Sequence, residues 1–332
     1  MARHSFFCID AHTGGNPVRV VQGAVPVLHG GTMSARRQDF LIHHDWIRRA
    51  LMFEPRGHDM MSGAIIYPPL SAEADAAILF IETSGCLPMC GHGLIGTVTV
   101  AIEHGLIRPR IPGRLQLDVP AGPISATYRW KGHKVTAVRF RNVPAWRAVK
   151  DLEVECPGLG PLRLDIAYGG NFYAIVEPQE GYPGLDAFSP DDILRLSPRL
   201  RAAVNAAVEV VHPDDPTIRG VSHVMWADAG RDGADGRNAV FYGERAIDRS
   251  PCGTGTSARM AQLAARGRLA PGDRFVHESI IGSRFVGHVE EATRVGPYEA
   301  IVPAIEGTAY VTGFNTIFVD EDEPFPQGFH VC

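Results

Sequence analysis

The chain has 332 residues, of which 45% are hydrophobic and 21% charged, with a formal net charge of −5. At roughly 100–200 residues per domain this predicts two domains or one large one, big enough to bury cores without disulfide or metal staples. The slightly acidic balance excludes the basic face that nucleic-acid binding needs and any polybasic membrane signal, and the composition is globular rather than disordered.

The opening MARHSFFCIDAHTGG lacks the apolar core of a signal peptide, and no later run approaches about 18 apolar residues, so the cytoplasm is the expected compartment. VRVVQGAVPV at 18–27 reads as a strand, and RRQDFLIHHDWIRRALMFEP at 36–55 as a helix stopping near Pro55. AAILFIET at 76–83 is a strand, and HGLIGTVTVAIEHG at 92–105 a helix. LQLDVP, ISATYRW, KVTAVRFRNV, LRLDIAYGG and FYAIVEP carry the β-branched and aromatic residues of strands, with WKGHK at 130–134 as a hairpin tip. Helices follow at 189–209 and 253–267, and AYVTGFNTIFVD at 309–320 is the last strand. The fold class is α/β with much mixed or antiparallel sheet (α+β). No GxGxxG follows a strand and no GxxxxGK[ST] occurs, which argues against a doubly wound nucleotide fold. The lysines are Lys131, Lys134 and Lys150, two of them flanking the hairpin tip, which argues against a pyridoxal Schiff base.

An internal repeat is the most informative feature. Gly14-Gly15-Asn16 feeds an apolar strand, and 76 residues after Gly14 comes Cys90 in Met89-Cys90-Gly91-His92-Gly93. Gly169-Gly170-Asn171 feeds a second, and 83 residues after Gly169 comes Cys252 in Pro251-Cys252-Gly253-Thr254-Gly255. Matching order and similar spacing predict a duplication, with a pseudo-two-fold axis and a cleft between the halves. The first lobe is expected over 1–125, joined by a returning segment at about 308–332, and the second over 126–307.

Each Cys-Gly-x-Gly opens a small-residue helix. The first-turn amides of a helix have no intrahelical acceptor and carry partial positive charge, so they can hold a carboxylate and lower a thiol pKa. Two such thiols suit removal of a proton from one face of a carbon and delivery to the other, which is racemisation or epimerisation. Cysteines are also small buried hydrophobes, the reading given to Cys8, Cys86, Cys156 and Cys332. For Cys90 and Cys252 both readings stay open on these grounds. The Cys86-x3-Cys90-x-His92 spacing is imperfect for zinc and departs from a Cys-x-x-Cys redox pair.

DAHTGGNPVRVV at 10–21, MCGHGLIGT at 89–97 and DRSPCGTGTSARMA at 248–261 resemble the proline racemase superfamily, most closely its 4-hydroxyproline 2-epimerase branch. EPRGHDMMSG, YGGNFYAIVEP and FVHESIIGS extend the similarity along the chain. The resemblance implies two similar lobes, each a β-rich barrel around a central helix, and a cofactor-independent enzyme. It implies that Cys90 and Cys252 are the acid/base pair and that the backbone at Gly91-His92 and Gly253-Thr254 grips the substrate carboxylate. Asp248 would pair with the ring ammonium, and His92 and His223 would supply polar contacts; Asp248 reads equally as a helix cap, and either histidine as a core or loop residue. The expected reaction inverts Cα of trans-4-hydroxy-L-proline, with proline racemisation, 3-hydroxyproline dehydration and non-catalytic amino-acid binding as alternatives. Retention of both thiols favours an epimerase over a dehydratase. The expected partner is a small-molecule substrate, with neither nucleic acid nor membrane, and a homodimer is compatible with this reading.

Overall fold

The computed structural model describes residues 3–331, so Cys332 lies outside the described residues. Two compact units form. One takes the chain up to Phe140 and again from Gly307, and the other runs from Arg141 to Glu306.

In the first unit, β1 (Arg3–Thr13) and β2 (Asn16–Gln22) make a hairpin around Gly14-Gly15, whose φ values of 56° and 91° suit glycine. The strand predicted over 18–27 ends early, because Gly23 and Ala24 both turn with positive φ. The helix predicted over 36–55 is two: α1 (Met33–His43) and α2 (Asp45–Met52), separated at His44, whose amide caps Phe40 O. The break lets buried Arg48 pair with Asp45 and donate to the carbonyls of Glu82 and Thr83, contacts that set the course of α2. These helices cross to β3 (Ser62–Tyr67), which lies parallel to β2, and β3 pairs antiparallel with β4 (Ala76–Glu82). The short β5 (Gly85–Leu87) folds back on β4 and delivers the chain to α3 (Gly91–Glu103). β6 (Arg114–Val119) then returns parallel to β4, followed by β7 (Gly122–Lys131) and β8 (Lys134–Arg141) around Gly132. Parallel neighbours need a long crossover, and α3 is that crossover. It is buried from Gly91 to Ala101, as befits a helix apolar on every side.

The second unit repeats the scheme with β9 (Ala145–Cys156), β10 (Gly160–Tyr168), β11 (Phe172–Val176), α4 (Pro190–Ala207), β12 (Val221–Asp228), β13 (Gly236–Tyr242), β14 (Ala246–Ile247), α5 (Gly253–Ala265), β15 (Arg274–Ser279), β16 (Arg284–Val295) and β17 (Tyr298–Gly307). Again the second and third strands of the repeat, β11 and β12, are parallel, as are β13 and β15, with α5 in the latter crossover. The ladder β9-β10-β11-β12-β13-β15-β16-β17 closes on itself, because β17 pairs with β9. The eight-stranded ring surrounds α5, which is buried from Gly253 to Leu263.

β18 (Ala309–Asp320) belongs to the first unit and pairs with β1 along its whole length, from Arg3↔Asp320 to Thr13↔Ala309. It stands to β1 as β9 stands to β10. Beyond it Arg56 donates to the carbonyls of Phe325 and Pro326 and pairs with Glu323, which fastens the C-terminal segment to α2. The fold class is thus the expected one: α/β, with β-rich sheet wrapped around one buried helix in each unit. Among the described residues no helix is long and apolar enough to cross a membrane.

Candidate active site

Cys90 is the N-cap of α3 and Cys252 the N-cap of α5. Both are buried, at 5% exposure. The motif has a direct steric reason. A Cβ at Gly93 would stand 2.9 Å from the Cys90 sulfur, and one at Gly255 would stand 3.0 Å from the Cys252 sulfur. The second glycine of each Cys-Gly-x-Gly is therefore the space its sulfur occupies.

Each sulfur ends a hydrogen-bond chain that begins at the asparagine of its repeat. In the first unit Asn16 Nδ2 lies 3.0 Å from His92 Nε2, and His92 Nδ1 lies 3.5 Å from Cys90 Sγ. An amide nitrogen only donates, so Nε2 accepts, and the neutral ring carries its proton on Nδ1, facing the sulfur. Thr13 Oγ1 donates to the His92 carbonyl at 2.8 Å and fixes the first turn. In the second unit Asn171 Nδ2 donates to Thr254 Oγ1 at 3.4 Å, Thr254 Oγ1 lies 2.6 Å from Tyr173 Oη, and Tyr173 Oη lies 3.3 Å from Cys252 Sγ. Burial and the neighbouring thiol hold the Tyr173 phenol well above its usual range, so it stays protonated and donates.

His223 packs its ring against Tyr173 in a tilted contact, with ring centroids 4.7 Å apart, and its Nδ1 lies 2.7 Å from Ser222 Oγ. Asp248, 3% exposed, accepts from the Ser250 amide at 2.7 Å, and Ser250 Oγ in turn accepts from the Cys252 amide at 3.1 Å. Asp248 thus caps the turn before α5, while the helix cap itself is Cys252. Gly253 and Thr254 form the first turn of α5, as Gly91 and His92 do in α3. Within the second unit the structure gathers Cys252, Thr254, His223 and Asp248; within the first, Cys90, Gly91 and His92.

A helix N-terminus was expected to lower the thiol pKa. For Cys252 the balance is the reverse. Burial and the charge of Asp248 push the thiol up, against the downward pull of Tyr173, Thr254 and the Gly255 amide. Cys8 and Cys86 are buried and each pushed up to about 12, chiefly by burial, and Cys156 is raised for the same reason.

Tyr173, Asn16 and Asn171 were not singled out as site residues from the sequence. The asparagines carried a signal, since both sit at the same place in the repeat. Tyr173 carried none, because an aromatic in FYAIV reads as strand packing.

The proline racemase family model matches residues 8–330. The chain is 60% identical to 4-hydroxyproline 2-epimerases of Shewanella loihica and Ancylobacter novellus, over 332 residues and the full length of both partners in each case. Among solved structures, a hydroxyproline epimerase from Agrobacterium vitis with bound trans-4-hydroxy-L-proline superposes with a TM-score of 0.91 at 30% identity, covering 98% of this chain and 96% of that one. A probable proline racemase from Agrobacterium radiobacter with bound carbonate gives 0.92 at 32% identity with the same coverage. A Bacillus anthracis protein of the phenazine-biosynthesis PhzF family, at 16% identity and a TM-score of 0.60, shares the fold alone. With nearly its whole length matched by the family model and by relatives of high identity, this chain belongs to the proline racemase family.

Proposed function

We propose that the protein is an isomerase that inverts Cα of trans-4-hydroxy-L-proline to give cis-4-hydroxy-D-proline, with Cys90 and Cys252 as the two bases. The observation that carries the substrate is the full-length identity of 60% to 4-hydroxyproline 2-epimerases. The paired thiols at the N-caps of α3 and α5, each with its own hydrogen-bond chain, support the mechanism.

One sulfur, as thiolate, takes the Cα proton, and the electron pair left on Cα spreads into the carboxylate. The first-turn amides at Gly91-His92 and Gly253-Thr254 meet that growing negative charge. The other sulfur, as thiol, gives a proton to the opposite face, so each turnover exchanges which cysteine is protonated. His92 steadies a thiolate at Cys90 through Nδ1–H, and Tyr173 does so at Cys252 through its hydroxyl. Asp248 holds the ring ammonium. That pairing also offsets one of the two causes that raise the Cys252 thiol, so substrate binding eases its ionisation. His223 contacts the substrate ring, steadied by Ser222 and Tyr173. We place the reaction in the cytoplasm, where a reducing environment keeps both thiols free.

The test is α-proton exchange followed by NMR in D₂O, with trans-4-hydroxy-L-proline and L-proline compared at equal concentration. Exchange with inversion, much faster for the hydroxylated substrate, is expected, because a site that binds a hydroxyl rejects the analogue lacking it. Equal turnover of proline overturns the substrate, and binding without exchange overturns the activity.

A further inference from the structure

The two cysteines differ in backbone as well as in partners. Cys90 is extended at φ −138°, whereas Cys252 has φ 63° and ψ 103°. Positive φ crowds Cβ against the backbone and costs free energy in any residue but glycine, so surrounding structure must hold it. Ala24, Asp151 and Asp232 also have positive φ, but none of them is buried.

The peptide plane between Pro251 and Cys252 is clamped at both ends. Its carbonyl accepts from Asn238 Nδ2 at 2.8 Å and from Thr256 Oγ1 at 3.2 Å. Its amide donates to Ser250 Oγ. Behind the carbonyl stands His277, fully buried on β15, with Nδ1 2.9 Å from Thr256 Oγ1 and both ring nitrogens 3.2 Å from Asn238 Nδ2. Because the Thr256 hydroxyl donates forward to Pro251, its oxygen takes the proton of His277 Nδ1.

The first repeat serves as an internal control. Asp75 accepts from the Gln116 amide as Asp235 accepts from the Val276 amide, which aligns β4 and β6 with β13 and β15. Asn238 then corresponds to Ile78 and His277 to Leu117, and Thr256, four past its cysteine, corresponds to Leu94. All three counterparts are buried and apolar. The unit with the apolar trio carries the extended cysteine, and the unit with the polar trio carries the strained one.

We propose that Asn238, Thr256 and His277 form a brace that holds the Pro251–Cys252 peptide so that Cys252 keeps its left-handed backbone and aims its sulfur at the substrate. This rests on Cys252 being one of the two bases. The three are positioning residues, with Thr256 and Asn238 on the carbonyl and His277 orienting both.

The test replaces His277→Leu, the residue found in the other repeat, alongside His277→Gln, which keeps a donor, and Thr256→Val. In His277→Leu, kcat for epimerisation should fall about 10- to 100-fold, the usual cost of a small misplacement, with KM little changed. The Leu variant should still wash deuterium from the one epimer whose proton Cys90 takes, and His277→Gln should recover part of kcat. Wild-type kcat in folded His277→Leu overturns the brace, as does equal loss of exchange from both epimers. If that variant does not fold, Thr256→Val is read by the same two criteria. Full activity in Cys252→Ser, by contrast, overturns the two-base reading on which the brace rests.

Discussion

Tyr173 and Val18 stand two residues past the asparagine of their respective repeats, and one places a hydroxyl 3.3 Å from a cysteine sulfur while the other offers only methyl groups. The duplicated halves therefore supply their thiols with different hydrogen-bond donors, an imidazole at Cys90 and a phenol at Cys252. Tyr173→Phe removes the hydroxyl while keeping the ring that packs against His223. Because the hydroxyl pulls the Cys252 thiol down, its loss should raise that thiol further. In a Cys90→Ser background, the pH at which iodoacetamide begins to alkylate Cys252 should move upward. kcat of the single variant should fall by about tenfold to hundredfold, as for loss of one hydrogen bond to a charged group. An unmoved alkylation profile would show that the hydroxyl does not touch the reactive sulfur.

Asp248→Asn should act with the opposite sign. Its charge raises the Cys252 thiol, so the amide should bring alkylation of Cys252 to lower pH. The ring ammonium loses its counter-charge at the same time, and KM for hydroxyproline should rise roughly tenfold or more. A faster-reacting thiol with unchanged KM would separate Asp248 from substrate binding.

Cys90→Ser and Cys252→Ser should each lower epimerisation by a factor on the order of 10² or more, since each removes one acid–base group. The two variants should differ in which epimer still exchanges its α-deuterium. Mixing them should not restore epimerisation unless the two thiols act from separate chains, which size-exclusion and activity measurements on the mixture would detect.

His277 predicts an acid-side loss of stability. Burial, helped by Arg259, lowers its pKa from 6.5 to about 3. Between those values the unfolded chain binds a proton that the folded chain refuses, so the stabilisation is complete above about pH 6.5 and is lost as pH falls toward 3. The slope contributed is about 1.4 kcal/mol per pH unit. Melting temperature measured from pH 7 to 4 should fall more steeply for the wild type than for His277→Gln, and parallel curves would count against a neutral His277.

The repeat could be read from the sequence because glycines at tight turns and beside sulfur are chemically conspicuous. The Gly-Gly-Asn turns and the Cys-Gly-x-Gly entries fall where the hairpins and buried helices form. The interruption at His44 was hidden, since the apolar spacing runs through 36–54 without a proline or glycine. What breaks the helix is a tertiary demand, the reach of Arg48 to Glu82 and Thr83. The rise of the Cys252 thiol was hidden too. Local sequence shows a helix start, which favours thiolate, but not the depth of burial, the larger cause of the rise. The brace lay out of sight for a similar reason. Asn238, Thr256 and His277 come from two strands and a helix, and each alone reads as an ordinary core or turn residue.

β18 has a consequence for biogenesis. The first unit lacks the strand that covers β1 until residues 309–320 arrive, whereas the second unit is one uninterrupted stretch that closes its own ring. A nascent chain leaving the ribosome can thus finish the second unit first, and the β1–β2 hairpin must wait, edge exposed, until residues 309–320 have been translated. Translation arrested just before codon 309 should yield a chain whose second half resists protease while its first remains cleavable.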